Sequence, residues 1–389
     1  MEAQTDHPWE KFIHFYFSIG LTYKDIKSVL GCRHGFDISE RHLKRLLRAR
    51  GLSRRKEYSD LAVLVEFISN ELQFSGQLHG YRWMYAKCRE HGLLVKKEDV
   101  RLVLKELDPR GVSLRQARRL RRRSYFSRGP NFIWHMDSYD KLKPYGFCIN
   151  GSIDGFSRKI IWLNVYTTSS DPKLIGGYYV DAVQRLGGCP RIVRGDLGTE
   201  NGHVRGFQRF LVPFHPDGTV DSYLEGASTA NQRIGCWWGF LRNQCVEFWI
   251  SLFADIRDTG YFDGGFLDKA ILQFCCMGLI QDELEDTVQV WNAHTIRPSK
   301  NISVPSGRPN VMYALPQLYG TRDFLSLVED EHIQLCKDEC VFRQLIPCDP
   351  DVYGLCNILM SESHLTLPRD PYQAVNLYRH QREAITAAI

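Results

Sequence analysis

The spacing of apolar residues changes at Pro130, and this change limits the fold more than any other pattern in the chain. Before Pro130 the apolar residues recur at helical intervals. After it, three segments rich in β-branched and aromatic residues predict strands, an amphipathic segment predicts a helix, and a short apolar segment predicts a fourth strand. These segments are 132–137, 146–154, 159–167, 172–188 and 191–196. The pattern predicts an α/β unit whose fourth strand returns beside the first.

The charge is divided unevenly along the 389 residues. Residues 1–130 hold 27 Lys and Arg against 15 Asp and Glu, whereas the remainder holds 23 against 30. A basic first third joined to a mildly acidic body indicates a polyanion-binding region attached to a separate globular unit. No apolar run is long enough to cross a bilayer, and the first residues do not resemble a secretory signal, so we expect a soluble intracellular protein.

The first 52 residues predict a short helix, a turn and a basic second helix. The first helix carries Ile26, Val29 and Leu30 and is predicted to stop at Gly31, and Ser39 is the predicted N-cap of the second. The outward face of the second helix carries four cations: Arg41, Lys44, Arg45 and Arg48. This is a helix-turn-helix pattern that would enter a DNA major groove. The alternative is a basic helical bundle that does not touch DNA.

A second helical unit and an Arg-rich stretch follow. Residues 79–108 resemble the second helix-turn-helix that precedes the catalytic domain in many insertion-sequence transposases. Residues 115–128 hold seven arginines and no acid, so their charge is not neutralised locally. We predict phosphate contacts here, from Arg118, Arg119, Arg121, Arg122 and Arg123. A nuclear-import signal is a compatible interpretation and predicts a nuclear location, with the cytoplasm as the alternative.

Two aspartates end the first and fourth predicted strands. Asp137 lies in WHMDSYD, and Asp196 lies in RGDLGTENG. If the two strands are neighbours, both carboxylates emerge at one edge of the sheet, where a Mg²⁺ or Mn²⁺ ion would relieve their repulsion. Paired metal ions of this kind activate the attacking oxygen and stabilise the leaving oxygen in phosphodiester displacement.

Taken together, FIWHMDSYDKL, INGSIDGFSRKIIWL, RGDLGTENG, STANQRIGCWW and LIQDELEDTVQVWNAHTIRPSKN resemble the catalytic core of retroviral integrases and related transposases. The closest resemblance is to the integrase-core proteins of animal genomes. The resemblance covers roughly 130–315 and implies an RNase H-like fold: a mixed central sheet flanked by helices, here preceded by all-α helix-turn-helix units. It also implies metal-dependent DNA strand transfer and, by analogy, self-association.

The family's catalytic set is Asp, Asp and Glu, and the third acid is missing from this sequence. Asp137 and Asp196 match the first two, but the family pattern N-Q-R-I-E ends here in Gly235. Glycine offers no ligand atom and weakens a helix interior by about 1 kcal/mol relative to alanine. The acids considered as substitutes are Glu200, Glu225 and Glu247, and none lies one helical turn from Gly235.

Several other polar residues have structural explanations. Asp154 in IDGFSRK is typical of a hairpin turn, and the lone His294 is typical of a hydrogen-bonded structural histidine. The twelve cysteines form no CxxC pair, which predicts scattered reduced thiols rather than a zinc site. In particular, the zinc-binding N-terminal module of retroviral integrases is not evident among Cys32, His34, His42, Cys88 and His91.

The sequence therefore predicts four segments: helix-turn-helix 1–52, a second helical unit with the Arg-rich linker 53–129, the integrase-like core 130–315, and an accessory region 316–389. The favoured function is that of a transposon-derived nucleic-acid-binding protein with degenerate catalysis and DNA as its partner, with no membrane or small-molecule substrate. The alternatives are an active recombinase with a substitute acid and a protein-interaction scaffold.

Overall fold

A computed structural model of the chain describes residues 9–18, 21–52, 58–116, 125–212, 221–226, 231–298 and 304–388. Its centre is a five-stranded sheet in the order β3-β2-β1-β5-β6. The strands are β1 (Ile133–Tyr139), β2 (Cys148–Asp154), β3 (Ile160–Tyr166), β5 (Ile192–Gly195) and β6 (Tyr223–Glu225). The first three form an antiparallel meander, and β5 and β6 run parallel to β1.

The return of the fourth predicted strand beside the first is confirmed. Helix α8 (Pro172–Leu186) carries the chain back across the sheet so that β5 pairs in parallel with β1. A short strand, β4 (Gly188–Cys189), lies between α8 and β5. A mixed sheet with this order, covered by helices, is the RNase H-like architecture expected from the sequence.

Helices cover both faces of the sheet, and every residue of β2 is buried as a result. On one face, α8 packs Tyr179 against Trp134 of β1 and Val193 of β5. On the other face lie α10 (Gln232–Leu241), α11 (Glu247–Asp258) and α12 (Phe266–Ala293). A π-helical turn, Arg242–Val246, joins α10 to α11. Asp137 belongs to the face covered by α10.

Three helices form the first unit: α1 (Trp9–Ser18), α2 (Tyr23–His34) and α3 (Glu40–Ala49). Helix α2 does not stop at Gly31 as predicted but continues to His34 and ends at Gly35, whose φ is 70°. A capping box between Thr22 and Asp25 and the burial of the apolar face outweigh the weak helix propensity of one glycine. The core of this unit also includes Val311 and Leu315 from the body of the molecule.

The second unit contains α4 (Leu61–Leu72), α5 (Tyr81–Glu90), α6 (Lys97–Leu107) and α7 (Pro109–Gln116). It has a small core of its own. Lys87 of α5 joins it to the body, because its ammonium nitrogen lies 3.0 Å from Glu71 in the same unit and 2.9 Å from Asp286 of α12.

The last described residues continue the cores of the sheet domain. These elements are α13 (Pro309–Ala314), β7 (Ser326–Leu327), α14 (Asp330–Asp338), α15 (Pro350–Glu362) and α16 (Pro371–Ala388). Strand β7 pairs with β4, and α15 and α16 share one hydrophobic cluster with α12. The accessory region predicted at 316–389 thus lacks a separate core in its described part, and the boundary at 315 stays a prediction.

All twelve cysteines are free thiols in the structure. Among the described helices, none combines the length and the apolar character that a membrane span requires.

Candidate functional site

Asp137 and Asp196 lie at the same edge of the sheet. The parallel register pairs Ile133 with Ile192 and His135 with Arg194, so two further residues along each chain lead to Asp137 and Asp196. Residues paired in this way project to the same face of a sheet. Strand β1 continues to Tyr139, so Asp137 lies within the strand rather than at its end, whereas Asp196 directly follows β5.

The Asp137 carboxylate is partly buried and held by two donors. Trp238 donates its indole N–H to Oδ2 over 2.9 Å, and the backbone N–H of Ser138 donates to Oδ1 over 2.9 Å. Burial raises the pKa of Asp137 to about 6, against the lowering effect of the Trp238 hydrogen bond, and the charge of Asp196 raises it further. The two predicted carboxylates are therefore close enough to interact electrostatically.

Asp196 is fixed by the loop that follows it. The side-chain amide of Asn201 donates to its Oδ1 over 2.7 Å, and the Gly198 N–H lies 3.3 Å from the same oxygen. Gly195, the residue before Asp196, leaves no room for a side chain, because a Cβ there would clash with the Tyr223 hydroxyl. Gly195 thus permits β6 to pack closely beside β5.

Helix α10 is fixed on β1 at both of its ends. Before its first turn, the Asn231 side-chain amide donates to the Met136 carbonyl over 2.7 Å, and its Oδ1 lies 2.8 Å from Nδ1 of His135. Near its other end, Trp238 holds Asp137. Gly235 lies about one turn from each of these contacts, so position 235 belongs to the helix face directed at the carboxylate edge.

Position 235 has room for a side chain. Gly235 is exposed, and a Cβ built there meets no atom within 4 Å. A side chain added at position 235 would therefore extend from the helix into open space.

His135 belongs to a buried hydrogen-bonded chain under this helix. The Tyr125 hydroxyl lies 2.7 Å from its Nε2 and the Asn231 oxygen lies beside its Nδ1. Burial lowers the pKa of His135 to about 3, so the ring is neutral, with Nδ1–H donating to Asn231 and Nε2 accepting from Tyr125. Sequence analysis missed His135 and Asn231, although both stand inside the motifs that carried the resemblance.

The three acids considered as substitutes differ in their contacts. Glu225 is ion-paired with Arg205, and Glu247 is ion-paired with Arg242. Glu200 folds back against Gly198, where a Cβ would meet its carboxylate. Of the three, Glu200 alone has no ion pair with a described residue.

The donor set fits one divalent cation better than two. Mg²⁺ is commonly held by one or two carboxylates together with water and phosphate oxygens. Asp137 and Asp196 can supply the two carboxylates. Within the described ranges, no three His, Cys, Asp or Glu side chains are grouped to hold a metal. A second ion would need the acid that position 235 lacks.

Asp154 and His294 have structural roles, as predicted. Oδ2 of Asp154 accepts hydrogen bonds of 2.7 Å from the N–H and the hydroxyl of Ser157, and Oδ1 accepts one of 2.8 Å from the N–H of Asn131. These bonds close the turn between β2 and β3. His294 is bonded through Nδ1 to the Trp291 carbonyl at 2.6 Å and lies outside the carboxylate edge.

The four predicted DNA-contacting residues of α3 are all exposed: Arg41, Lys44, Arg45 and Arg48. Leu43 and Leu47 occupy the buried face, and Ser39 caps the helix by accepting from the His42 N–H. Lys44 lies 2.6 Å from Glu40. The arginines predicted at Arg118, Arg119, Arg121, Arg122 and Arg123 lie outside the described residues.

A family model described as an integrase core domain matches residues 124–307, nearly half of the chain. The matched segment includes Asp137, Asp196 and Gly235 and extends from the start of the sheet domain beyond the end of α12. No curated protein matches the chain.

Proposed function

Since residues 124–307 match a family model described as an integrase core domain, we propose that this chain is a transposon-derived, integrase-like DNA-binding protein that has lost efficient strand transfer. The observation that carries the proposal is Gly235. It stands along the helix between two contacts that hold α10 on β1, and it provides no ligand where the family has a glutamate. The scaffold is kept and one essential donor is absent.

Asp137 and Asp196 would hold a Mg²⁺ or Mn²⁺ ion, which supplies Lewis-acid stabilisation of charge on phosphate oxygens. The chain's own contribution is to orient these carboxylates. The Trp238 indole fixes the direction of Asp137, and Asn201 fixes Asp196. Helix α10 has no carboxylate that could coordinate a second ion when position 235 is glycine. We therefore expect the phosphodiester bonds of bound DNA to remain uncleaved.

DNA binding rests on the basic first third. The cations of α3 are exposed on one face, and the Arg-rich residues 115–128 add sequence-independent attraction to phosphates. The same arginines support a nuclear location. Integrases join two DNA ends in multimers, and self-association is proposed here by that analogy alone.

Strand transfer by the purified protein, compared with Gly235→Glu and Asp196→Ala, tests the loss of catalysis. We expect no strand transfer from the wild-type chain and a gain in Gly235→Glu that depends on Mg²⁺ or Mn²⁺. The gain should vanish in the double variant Gly235→Glu/Asp196→Ala. Robust wild-type activity that Asp196→Ala abolishes would overturn the proposal.

The second candidate is an active recombinase with Glu200 as its third acid, favoured by the absence of an ion pair between Glu200 and any described residue. If wild-type activity is found, Glu200→Gln should abolish it under this hypothesis, whereas Glu225→Gln should not. The third candidate, a protein-interaction scaffold, predicts that neither residues 1–130 nor the whole chain binds duplex DNA in a salt-dependent way.

A further inference from the structure

A cavity of about 450 Å³ opens at the edge of the sheet where β2 begins and β3 ends. Its walls come from the turn before β2, the chain after β3, the first two turns of α12, and the residues that precede α15. The side chains that matter below are Lys143, Tyr166, Thr168, Phe266, Lys269 and Asp349.

The cavity lies on the same side of the molecule as the carboxylate edge. β1 ends beyond Asp137, and the turn that follows it carries Lys143 into the cavity wall. The Lys143 ammonium is 3.1 Å from Asp140. The hydrogen bond to Asp140 and the charge of that carboxylate raise the pKa of Lys143, and so does the charge of Glu200 in the loop after Asp196. Lys143 thus lines the cavity and lies within electrostatic reach of the loop that carries Asp196.

The wall of α12 is packed firmly against this turn. A Cβ at Gly146 would lie 2.8 Å from the Gln273 amide and 3.1 Å from Cβ of Lys269. The same Gln273 amide donates to the Gly146 carbonyl over 2.6 Å. The turn that carries Lys143 is therefore held against the turn of α12 that carries Lys269, and both lysines line the same cavity.

Two features of the lining match a nucleotide. Lys269 makes no ion pair within the described ranges, which leaves its charge to a ligand, and Thr168 adds a hydroxyl. Phe266 stands at the rim with 68% of its side chain exposed, and Tyr166 contributes a second ring. Proteins that bind single-stranded nucleic acid combine cations for the backbone with aromatic rings on which bases stack. A volume of this size also suits one nucleotide.

The single acid of the lining is already committed to the fold. Asp349 caps α15, since its Oδ1 accepts from the N–H groups of Asp351 and Val352 at 3.0 and 3.2 Å. Its carboxylate is thereby turned to the helix N-terminus, which partly neutralises it.

We propose that this cavity is a nucleotide subsite: Lys143 and Lys269 bind the phosphate and Phe266 stacks on the base of a nucleotide next to the carboxylate edge. The inference rests on the proposed DNA-binding function and adds a contact on the core domain, separate from the basic helices. The ligand that this cavity would bind is a nucleoside monophosphate, either as one unit of a DNA strand or as the free nucleotide.

The first measurement is fluorescence anisotropy of a labelled single strand of about 15 nucleotides, a length chosen to exceed one binding module. Phe266→Leu keeps apolar volume but removes the ring face, and it should weaken binding about fivefold or more, whereas Phe266→Tyr should restore affinity. Lys269→Gln should reduce the slope of log K against log salt by about 0.7. Lys337→Gln on α14, a lysine of similar exposure, is the matched control and should change neither quantity.

The second measurement locates the contact and identifies the source of the nucleotide. Photocrosslinking with an iodouracil-substituted strand should label Phe266 or Tyr166, as read by mass spectrometry of the full chain. If the cavity binds a nucleotide within a strand, binding of free thymidine monophosphate should not saturate at millimolar concentration. If the cavity binds free nucleotide, binding should saturate, and Lys269→Gln should remove that saturation.

Unchanged affinity in Phe266→Leu and Lys269→Gln, with no label at the cavity, would overturn the subsite. In that case the proposed function stands if substitutions on α3 still weaken DNA binding. A chain that binds neither DNA nor thymidine monophosphate overturns both.

Discussion

Gly235 combines helical geometry, exposure and open space at one position. A glutamate there should stabilise the helix by about 0.5 kcal/mol, because glycine is among the poorest helix formers. It should also add a third carboxylate to Asp137 and Asp196. We therefore expect Gly235→Glu to bind Mn²⁺ more tightly than the wild-type chain, which a larger Mn²⁺-dependent rise in melting temperature would report.

The control for this prediction is Gly354→Glu on α15. Gly354 is likewise an exposed helical glycine whose added Cβ meets no atom within 4 Å, but its helix packs on α12 and α16 and not on β1. It should gain a similar helix propensity without any response to Mn²⁺. An equal Mn²⁺ response in both variants would contradict a metal site at position 235.

At this scale, sequence reasoning identified the acids but not the residues that hold them. Asp137 and Asp196 follow from strand order, since neighbouring parallel strands bring such residues to one edge. The contacts of Trp238 and Asn231 depend on the angle at which α10 crosses β1, and no local pattern encodes that angle.

Among the elements, α3 carries a net positive charge, whereas the charges of α6 cancel. Helix α3 has one acid against four cations, whereas α6 has Lys97, Arg101 and Lys105 against Glu98, Asp99 and Glu106. Under the proposed DNA-binding function, we therefore expect the first helical unit rather than the second to contact the phosphates.

The paired substitution Arg41→Ala/Arg48→Ala should lower duplex DNA affinity and reduce the salt slope by about 1.8, because each phosphate contact contributes about 0.9. Anisotropy titrations over a range of salt concentrations measure both. The matched control is Lys97→Ala/Lys105→Ala on α6, which should leave the slope nearly unchanged. A larger loss in the control pair would assign DNA contact to the second unit.

The second unit is joined to α12 by a partly buried carboxyl group as well as by Lys87. Glu283 of α12 accepts hydrogen bonds from the Ser75 hydroxyl and, over 2.7 Å, from the Trp249 indole. Burial raises the pKa of Glu283 above its usual 4.5, against the lowering effects of the Ser75 hydrogen bond and the charge of Lys87. Glu71 and Asp286 are the other charges around it.

This shift predicts a pH dependence of stability. Just above pH 4.5 the folded chain holds the Glu283 proton that the unfolded chain releases, so the unfolding free energy falls as pH rises through this range. Urea unfolding of the wild type and Glu283→Gln at several pH values should show the wild type losing stability relative to the variant as pH increases from 4.5 to neutrality. A constant difference between the two would refute the assigned shift.

Helices and strands could be predicted from the sequence wherever the spacing of the apolar residues was clearly helical or clearly alternating. The meander and β5 were predicted from alternation and β-branched residues. The end of α2 was predicted wrongly because a glycine such as Gly31 ends a helix only when neighbouring residues do not stabilise the helix beyond it. Strand β6 was not predicted, since three residues give no readable period and its pairing with β5 is a long-range contact.

For the whole molecule, the described part of the last quarter is part of the main core. Val352, Met360 and Tyr378 are buried in the same cluster as Ile271 and Phe253. Composition alone left this region without a role because its apolar residues meet partners that lie about a hundred residues earlier in the chain.

Deleting residues 350–388 should therefore unfold the sheet domain. Each large buried side chain contributes roughly 1.5–3 kcal/mol, and losing several exceeds the usual 5–15 kcal/mol of total stability. Thermal melting by circular dichroism should lose its cooperative transition, with increased binding of a hydrophobic dye. Deletion of residues 1–58 is the control and should retain a cooperative transition, although Val311 and Leu315 become exposed. Cooperative melting of both truncated chains would contradict a shared core.

The docking of the first unit on α13 has a mechanical consequence. Val311 and Leu315 complete its interior, and the Arg33 guanidinium donates to the Ala314 carbonyl over 3.0 Å. A DNA duplex bound by α3 would therefore have a fixed orientation on the protein and a fixed distance from Asp137. In a nuclease-protection experiment, the region protected by the core domain would begin at a constant number of base pairs from the sequence bound by α3.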